Sequence, residues 1–445
     1  MRMARWIWRK SCAAVLCGAL VCAMLPSMGF AEGADTSYFC DENGVRCDIP
    51  QEMVVTEMDQ QHGMAGMADV WYVVTENVEI GERVEVSGAV NLVLCDGVTL
   101  TAEKGIHVTG ENSLTIYGQE AGDGKLEVKA DENRAAIGGN TNEPGGIMTI
   151  NGGVIDAVGG KKAAGIGGGQ ESKGLSGHIT INNGNVYAKG GFQAAGIGGG
   201  MYAAGTGEGE RIAINGGVVE AIGGSYAAGI GGGMSGVGGC IEINGGSVTA
   251  TGSSGGAGIG SGYGSTSDGN RIIISGGKIY ANGSTSGDKG SAGIGGGHLG
   301  AGGSITISGC GGACNMVEKG RPAGDGIGNG GGYKGADADV VITDETGCPL
   351  IYANSLMGNT GDWCGIVFLG TNGKVYGGSV SLQTDLTIAK EQSLEIPKGT
   401  KLTVPDDVTL TNNGEIVGEG TLLGDVQGNP VSDSIDDGNF GDAGG

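Results

Sequence analysis

The sequence predicts an all-β chain wound as a right-handed parallel β-helix, a solenoid with coils of about 31 residues. Three observations lead there. Glycine supplies 100 of the 445 residues and aromatics only 4%. This favours a narrow core lined by Ile, Val and Ala over a wide one filled by large side chains. A segment of the form (Ile/Met)-x-Ile-Asn/Ser-Gly, with one Asn-Asn variant, places its second apolar residue at Ile150, Ile181, Ile214, Ile243, Ile274 and Ile307, in steps of 29 to 33 residues. A second segment, close to Ala-Ala-Gly-Ile-Gly-Gly-Gly, alternates with the first and carries Ile137, Ile166, Ile197, Ile230, Ile259, Ile294 and Ile327. Two interleaved ladders of one period are the signature of stacked repeats. With 8 Pro and no Gly-X-Y period the chain is not collagen-like, and 39% hydrophobic residues set it apart from charged disordered chains.

One unit shows why the repeat becomes a coil. In Ile212-Ala213-Ile214 the two isoleucines point to one face of a short strand. Asn215-Gly216-Gly217 is turn chemistry. Val219 and Ala221 restore the inward phase, Gly223-Gly224 turns again, and Ala227-Ala228-Gly229-Ile230 supplies a third inward segment. A single unit cannot bury its apolar side; stacked units do, each buried Ile or Val contributing roughly 1.5–3 kcal/mol. The column Asn151, Asn182, Asn215, Asn244, Ser275 and Ser308 recurs at one turn and reads as a structural ladder of side-chain hydrogen bonds between coils.

In chain order, residues 1–31 read as a secretory signal peptide. Arg2, Arg5, Arg9 and Lys10 precede an apolar stretch from Cys12 to Leu25, and Gly29-Phe30-Ala31 offers a cleavage site. Residues 32–68 are expected to be a polar, mobile leader. The Gly-rich β-helix follows over 69–345, with earlier, glycine-poor coils marked by Val90, Leu92, Leu94, Leu100, Ile106, Leu114 and Ile116. The segment Cys310–Cys364 breaks the pattern and is expected to bulge out. Residues 346–425 hold this loop and tighter final coils, marked by Leu386, Ile388, Leu394, Ile396, Leu402 and Leu410. Residues 426–445 read as an acidic disordered tail.

The formal net charge is −24; without the four basic residues of the signal it becomes −28. Such a surface repels phosphate backbones, so nucleic acid is not an expected partner. No membrane span is expected in the mature chain, and no cofactor or metal is implied. Eight cysteines remain after the signal, an even number compatible with disulfides in an oxidising compartment. Local pairs Cys40–Cys47, Cys310–Cys314 and Cys348–Cys364 are candidates.

A solenoid displays outward residues as columns, so a binding face should itself repeat. Four residues after the Gly-rich Ile stand Gln170, Met201, Met234, Tyr263 and His298. With Tyr202 and Tyr333 nearby, they are the candidate ligand-binding platform for sugar rings. A second column holds Asp156, Tyr187, Glu220, Thr249 and Tyr280. No clustered carboxylates suited to glycan cleavage stand within the coils, and no catalytic residue is assigned.

The coils Val90–Ile116, the Ile-x-Ile-Asn-Gly-Gly and Ala-Gly-Ile-Gly-Gly-Gly repeats, and the stretch Val408–Gly414 resemble pectate-lyase-like right-handed β-helix domains. More narrowly, they look like the non-enzymatic versions in secreted and surface-exposed bacterial repeat proteins, over roughly residues 70–425. The resemblance implies an exported, extracellular and cell-surface-associated chain, non-catalytic, that binds polysaccharide or a cell-surface glycan or mediates adhesion. A divergent polysaccharide lyase or glycoside hydrolase, and a purely structural spacer, are the alternative readings.

Overall fold

The coil read from the sequence at 212–230 forms three strands in the computed structural model: Arg211–Ile214, Val218–Ser225 and Ile230–Gly231. Ile212, Ile214, Val219, Ala221 and Ile230 all point into the core and are buried. The structure describes residues 37–49, 53–54, 64–65, 70–172, 177–203, 211–265, 269–284, 290–309, 313–314, 326–334, 336–344 and 348–436. The signal segment 1–31 and Cys310 lie outside the described residues.

Each coil adds one strand to each of three parallel sheets. Among the described residues, sheet 1 has 11 strands and contains Ile147–Ile150, His178–Ile181 and Arg211–Ile214; sheet 2 has 14 and contains Val154–Val158 and Asn185–Lys189; sheet 3 has 10 and contains Ile137–Gly138, Ile166–Gly167 and Ile197–Gly198. The register stacks like on like: Ile150 on Ile181 on Ile214, Ala157 on Ala188 on Ala221, and Ile166 on Ile197 on Ile230. The protein therefore contains a parallel β-helix, and a single continuous core runs up its centre.

The expected asparagine ladder is present. The Nδ2 groups of Asn182, Asn215 and Asn244 each donate to the Oδ1 of the Asn one coil below, at 2.8, 2.6 and 2.8 Å, and Ser275 Oγ donates to Asn244 Oδ1 at 2.6 Å. The glycine following each sheet-3 isoleucine has a different task. Gly198 sits at φ +132, and a Cβ built there would stand 2.1 Å from the carbonyl oxygen of Gly231. Bare backbone at this column lets the coils stack closely.

Four expectations are corrected. The 32–68 segment is not simply a mobile leader. Met53–Val54 joins sheet 1 beside Tyr72 and Val73, and Met64–Ala65 joins sheet 3. Tyr38–Cys40 and Arg46–Asp48 form an antiparallel hairpin, and the Phe39 ring packs against Trp71 and Tyr117 at centroid distances of 4.8 and 4.5 Å. This hairpin lies against Trp71, Val73, Val93 and Cys95, which face outward from sheet 1 and would otherwise leave an apolar patch.

The 310–364 segment does not simply bulge. Ala313–Cys314, Ile327–Gly328, Asp339–Ile342 and Leu350–Ala353 continue sheets 2, 3, 1 and 2 in turn. The missing Asn-Gly turn had hidden that coil. The final coils are not a plain continuation either. Gly365–Leu369 and Asn372–Tyr376 pair antiparallel across Gly370-Thr371, so the chain reverses direction inside sheet 2. The strands that follow are parallel to one another, with Asn372, Ser393 and Glu415 in register, and they surround a second core. The start of the tail is ordered: Val426–Gly428 is a strand, and Leu422 N donates to Asp436 O at 2.9 Å.

The cysteine expectations also change. In the N-terminal hairpin Cys40 faces Arg46 while Cys47 faces Phe39, so the two thiols project from opposite sides and no disulfide links them. Cys348 and Cys364 are likewise not joined; the Cys364 thiol is hydrogen-bonded to Asp344.

Candidate functional site

The corner after each sheet-3 strand places the candidate platform. The chain leaves the Ile-Gly pair, passes two further small residues, and turns through a left-handed residue: Glu171, Tyr202, Ser235 and Leu299 have φ of 56°, 57°, 61° and 61°. The column just before this turn is Gln170, Met201, Met234, Tyr263 and His298. Its backbone is tied to a second corner of the solenoid, with Met234 N donating to Gln193 O, Tyr263 N to Tyr226 O and His298 N to Gly255 O, at 2.9, 2.9 and 2.7 Å. Two corner strips are thereby held side by side.

The five candidate residues do not behave alike. Gln170 and Met201 are buried, and Gln170 Nε2 donates to Glu171 Oε1 at 2.7 Å. Met234, Tyr263 and His298 are half-buried and reach the surface. The Tyr263 ring stacks on His298 at 5.4 Å and meets Tyr226 edge-on at 5.3 Å. Gln193 Nε2 lies 2.8 Å from Met234 Sδ, and His298 Nδ1 lies 3.3 Å from Gly290 O. Phe192 and Tyr202, 50% and 46% exposed, flank this run, and exposed Leu299 extends it. Tyr333 sits in a turn one coil beyond, its N–H on Gly330 O.

Sequence reasoning missed Phe192, Gln193 and Tyr226. The signal was available: Gln193 and Tyr226 immediately precede the Ala-Ala pair of their coils, as Lys162 does, and so form a column of their own.

The second column is real as geometry. Asp156, Tyr187, Glu220, Thr249 and Tyr280 stand in consecutive register on sheet 2. Tyr187 separates the two carboxylates, and its hydroxyl is pushed up from the ordinary tyrosine value by burial and then by Glu220 and Asp156. This spacing does not make a chelating pair. Among the described residues, no group of three or more His, Cys, Asp or Glu side chains is arranged to hold a metal ion.

Two ionic clusters lie elsewhere. On sheet 1, Glu242 bonds Arg211 at 2.9 Å and lies 3.9 Å from Arg271. On sheet 3, His107 is held between Glu85 and Glu143, its Nε2 lying 2.7 Å from the latter. Beside it the buried Arg83 guanidinium donates to the carbonyls of Lys104, Ala135 and Gly138. Burial, with Arg134 adding to it, pulls Arg83 down to about 10. Its bonds to three carbonyls from successive coils mark a structural plug.

Five segments of the chain, 149–170, 179–201, 212–234, 241–263 and 272–298, match the β-helix repeat family. Each ends on a residue of the candidate column, so the platform corner is the boundary of the repeating unit. Neither a curated protein nor a solved structure matches the chain. No helix among the described residues is long and apolar enough to cross a membrane.

Proposed function

We propose that this is an exported, non-catalytic β-helix repeat protein that binds glycan through the corner strip centred on Tyr226, Tyr263 and His298. One observation carries the reading. A chain with only 4% aromatic residues gathers a contiguous aromatic run at one surface corner and edges it with the exposed Phe192 and Tyr202. Exposed apolar groups gathered in one place mark interaction sites.

The geometry also specifies how a sugar would be met. Tyr263 and His298 cover each other's faces, so their stack offers ring edges and polar tips to a ligand. Apolar sugar faces would rest on Phe192 and Tyr202. This mixture of apolar body and polar tip suits a polyhydroxylated ligand.

The test is a glycan array probed with the mature protein, run beside an assay for released sugar. Binding without release supports the reading, and its loss in a Tyr263→Ala/His298→Ala double variant assigns it to this corner. Cleavage of any polysaccharide would replace this reading with an enzymatic one. Full retention of binding by the double variant would move the site elsewhere.

A further inference from the structure

We propose that Cys348 and Cys364 form a modification site, a disulfide made when the protein meets a disulfide oxidant. Leu350 pairs with Ile366 and Ile351 with Val367 in a parallel ladder, and Ile366 N donates to Pro349 O at 2.8 Å. Two residues back along the same register, Cys348 stands opposite Cys364. Side chains alternate along extended backbone, so Cys348 shares a face with Leu350 and Cys364 with Ile366. Both cysteines are partly buried against the C-terminal core. In-register neighbours lie ~4.8 Å apart, inside the roughly 4.4–6.8 Å Cα separation that a disulfide accepts. Both residues precede their strands and are not clamped within a ladder, so the local backbone can adjust.

The contrast with the other described local pair is informative. Cys40 and Cys47 are equally close in sequence, yet their hairpin sends them to opposite faces. The structure thus selects one pair. It also gives the bond a consequence, because the cysteines sit where the long core and the C-terminal core meet, just before the chain reverses. A disulfide there would fasten that junction.

The chemistry is thiol–disulfide exchange. The Cys348 thiolate attacks one sulfur of the oxidant's disulfide and releases its other sulfur as a thiolate. The Cys364 thiolate then attacks the Cys348 sulfur of the mixed disulfide and expels the second oxidant thiolate. The two cysteine protons pass through solvent to the departing thiolates, and the oxidant's disulfide is reduced to two thiols. Cys364 is the slow partner, because burial and the Asp344 carboxylate push its thiol up to about 11.

The experiment incubates the full chain, purified reduced, with oxidised glutathione, then blocks remaining thiols and maps peptides without reduction. A peptide pair joining Cys348 to Cys364, two hydrogens lighter than the sum, is expected. Asp344→Asn should speed closure severalfold, while Cys348→Ser should leave Cys364 unlinked with an unchanged circular dichroism spectrum. Quantitative blocking of both thiols in the folded protein would overturn the proposal, as would either cysteine linking to a different one.

Discussion

Replacing Gly198 by Ala should destabilise the solenoid more than its single added methyl group suggests. The new Cβ would lie 2.1 Å from Gly231 O, well inside van der Waals contact, and the obstacle is backbone of the next coil. The residue also sits at φ +132, where side chains are rarely accommodated. Overpacking costs about 1–3 kcal/mol and a strained backbone region about 1–3 kcal/mol more, so a loss of roughly 2–6 kcal/mol is expected. Gly378→Ala is the control: nothing lies within 4 Å of its Cβ, and its φ is ordinary. That change should be neutral, or stabilising by about 0.4–1 kcal/mol through the unfolded chain. Chemical denaturation followed by circular dichroism compares the two. Hydrogen exchange of the Ile166, Ile197 and Ile230 amides then reports whether the damage is local, since repeat arrays unfold piecemeal. Equal midpoints for the two variants would refute the claim that this glycine column is required by coil-to-coil contact.

Further outcomes follow from the same geometry. Ile197→Ala, removing a fully buried side chain stacked between Ile166 and Ile230, should cost about 2–5 kcal/mol in denaturant midpoints. Arg83→Ala should cost about 2–4 kcal/mol, because the carbonyls of Lys104, Ala135 and Gly138 lose a shared donor. Phe39→Ala should shift tryptophan emission to the red as water reaches Trp71, with no change in far-ultraviolet circular dichroism. The raised Cys364 thiol means that the reduced folded state holds its proton more tightly than the unfolded chain does. Stability of the reduced protein should therefore fall as pH rises from the ordinary thiol value of 9.0 towards about 11, and Cys364→Ser should remove that component of the pH profile.

The sequence shows the fold wherever one residue type must recur at one depth. Ile150, Ile181 and Ile214 are legible because each fills the same inward position, and Asn151, Asn182 and Asn215 because each turn repeats the same bond. The reversal at Gly370-Thr371 was not legible. Alternating strands such as Leu394-x-Ile396 read the same whichever way they run, and only the pairing partner gives the direction. The coil through Ala313–Cys314 was hidden because the turn signals around it are absent. The N-terminal hairpin was missed for a related reason: Phe39 and Trp71 meet across a sheet face, a contact without sequence period.

The candidate site was half legible, and the reason lies in what a repeat conserves. Counting four residues from each Ile found Gln170, Met201, Met234, Tyr263 and His298 because the corner recurs in every coil. Period alone could not say that Gln170 and Met201 would be covered while the other three surface, since burial at a corner depends on the neighbouring strip. That strip supplies Gln193 and Tyr226, and hydrogen bonds such as Tyr263 N to Tyr226 O bring it alongside. A binding surface on this solenoid is therefore built from two columns roughly two-fifths to a full coil apart in sequence. The perturbation that separates fold from function acts on one column at a time. Tyr226→Ala should leave the inward ladder at Ala227, Ala228 and Ile230 intact, holding the denaturant midpoint within about 0.5 kcal/mol, while weakening any ligand held at Tyr263. A midpoint falling as far as that of Ile197→Ala would show that the aromatic run is part of the packing itself.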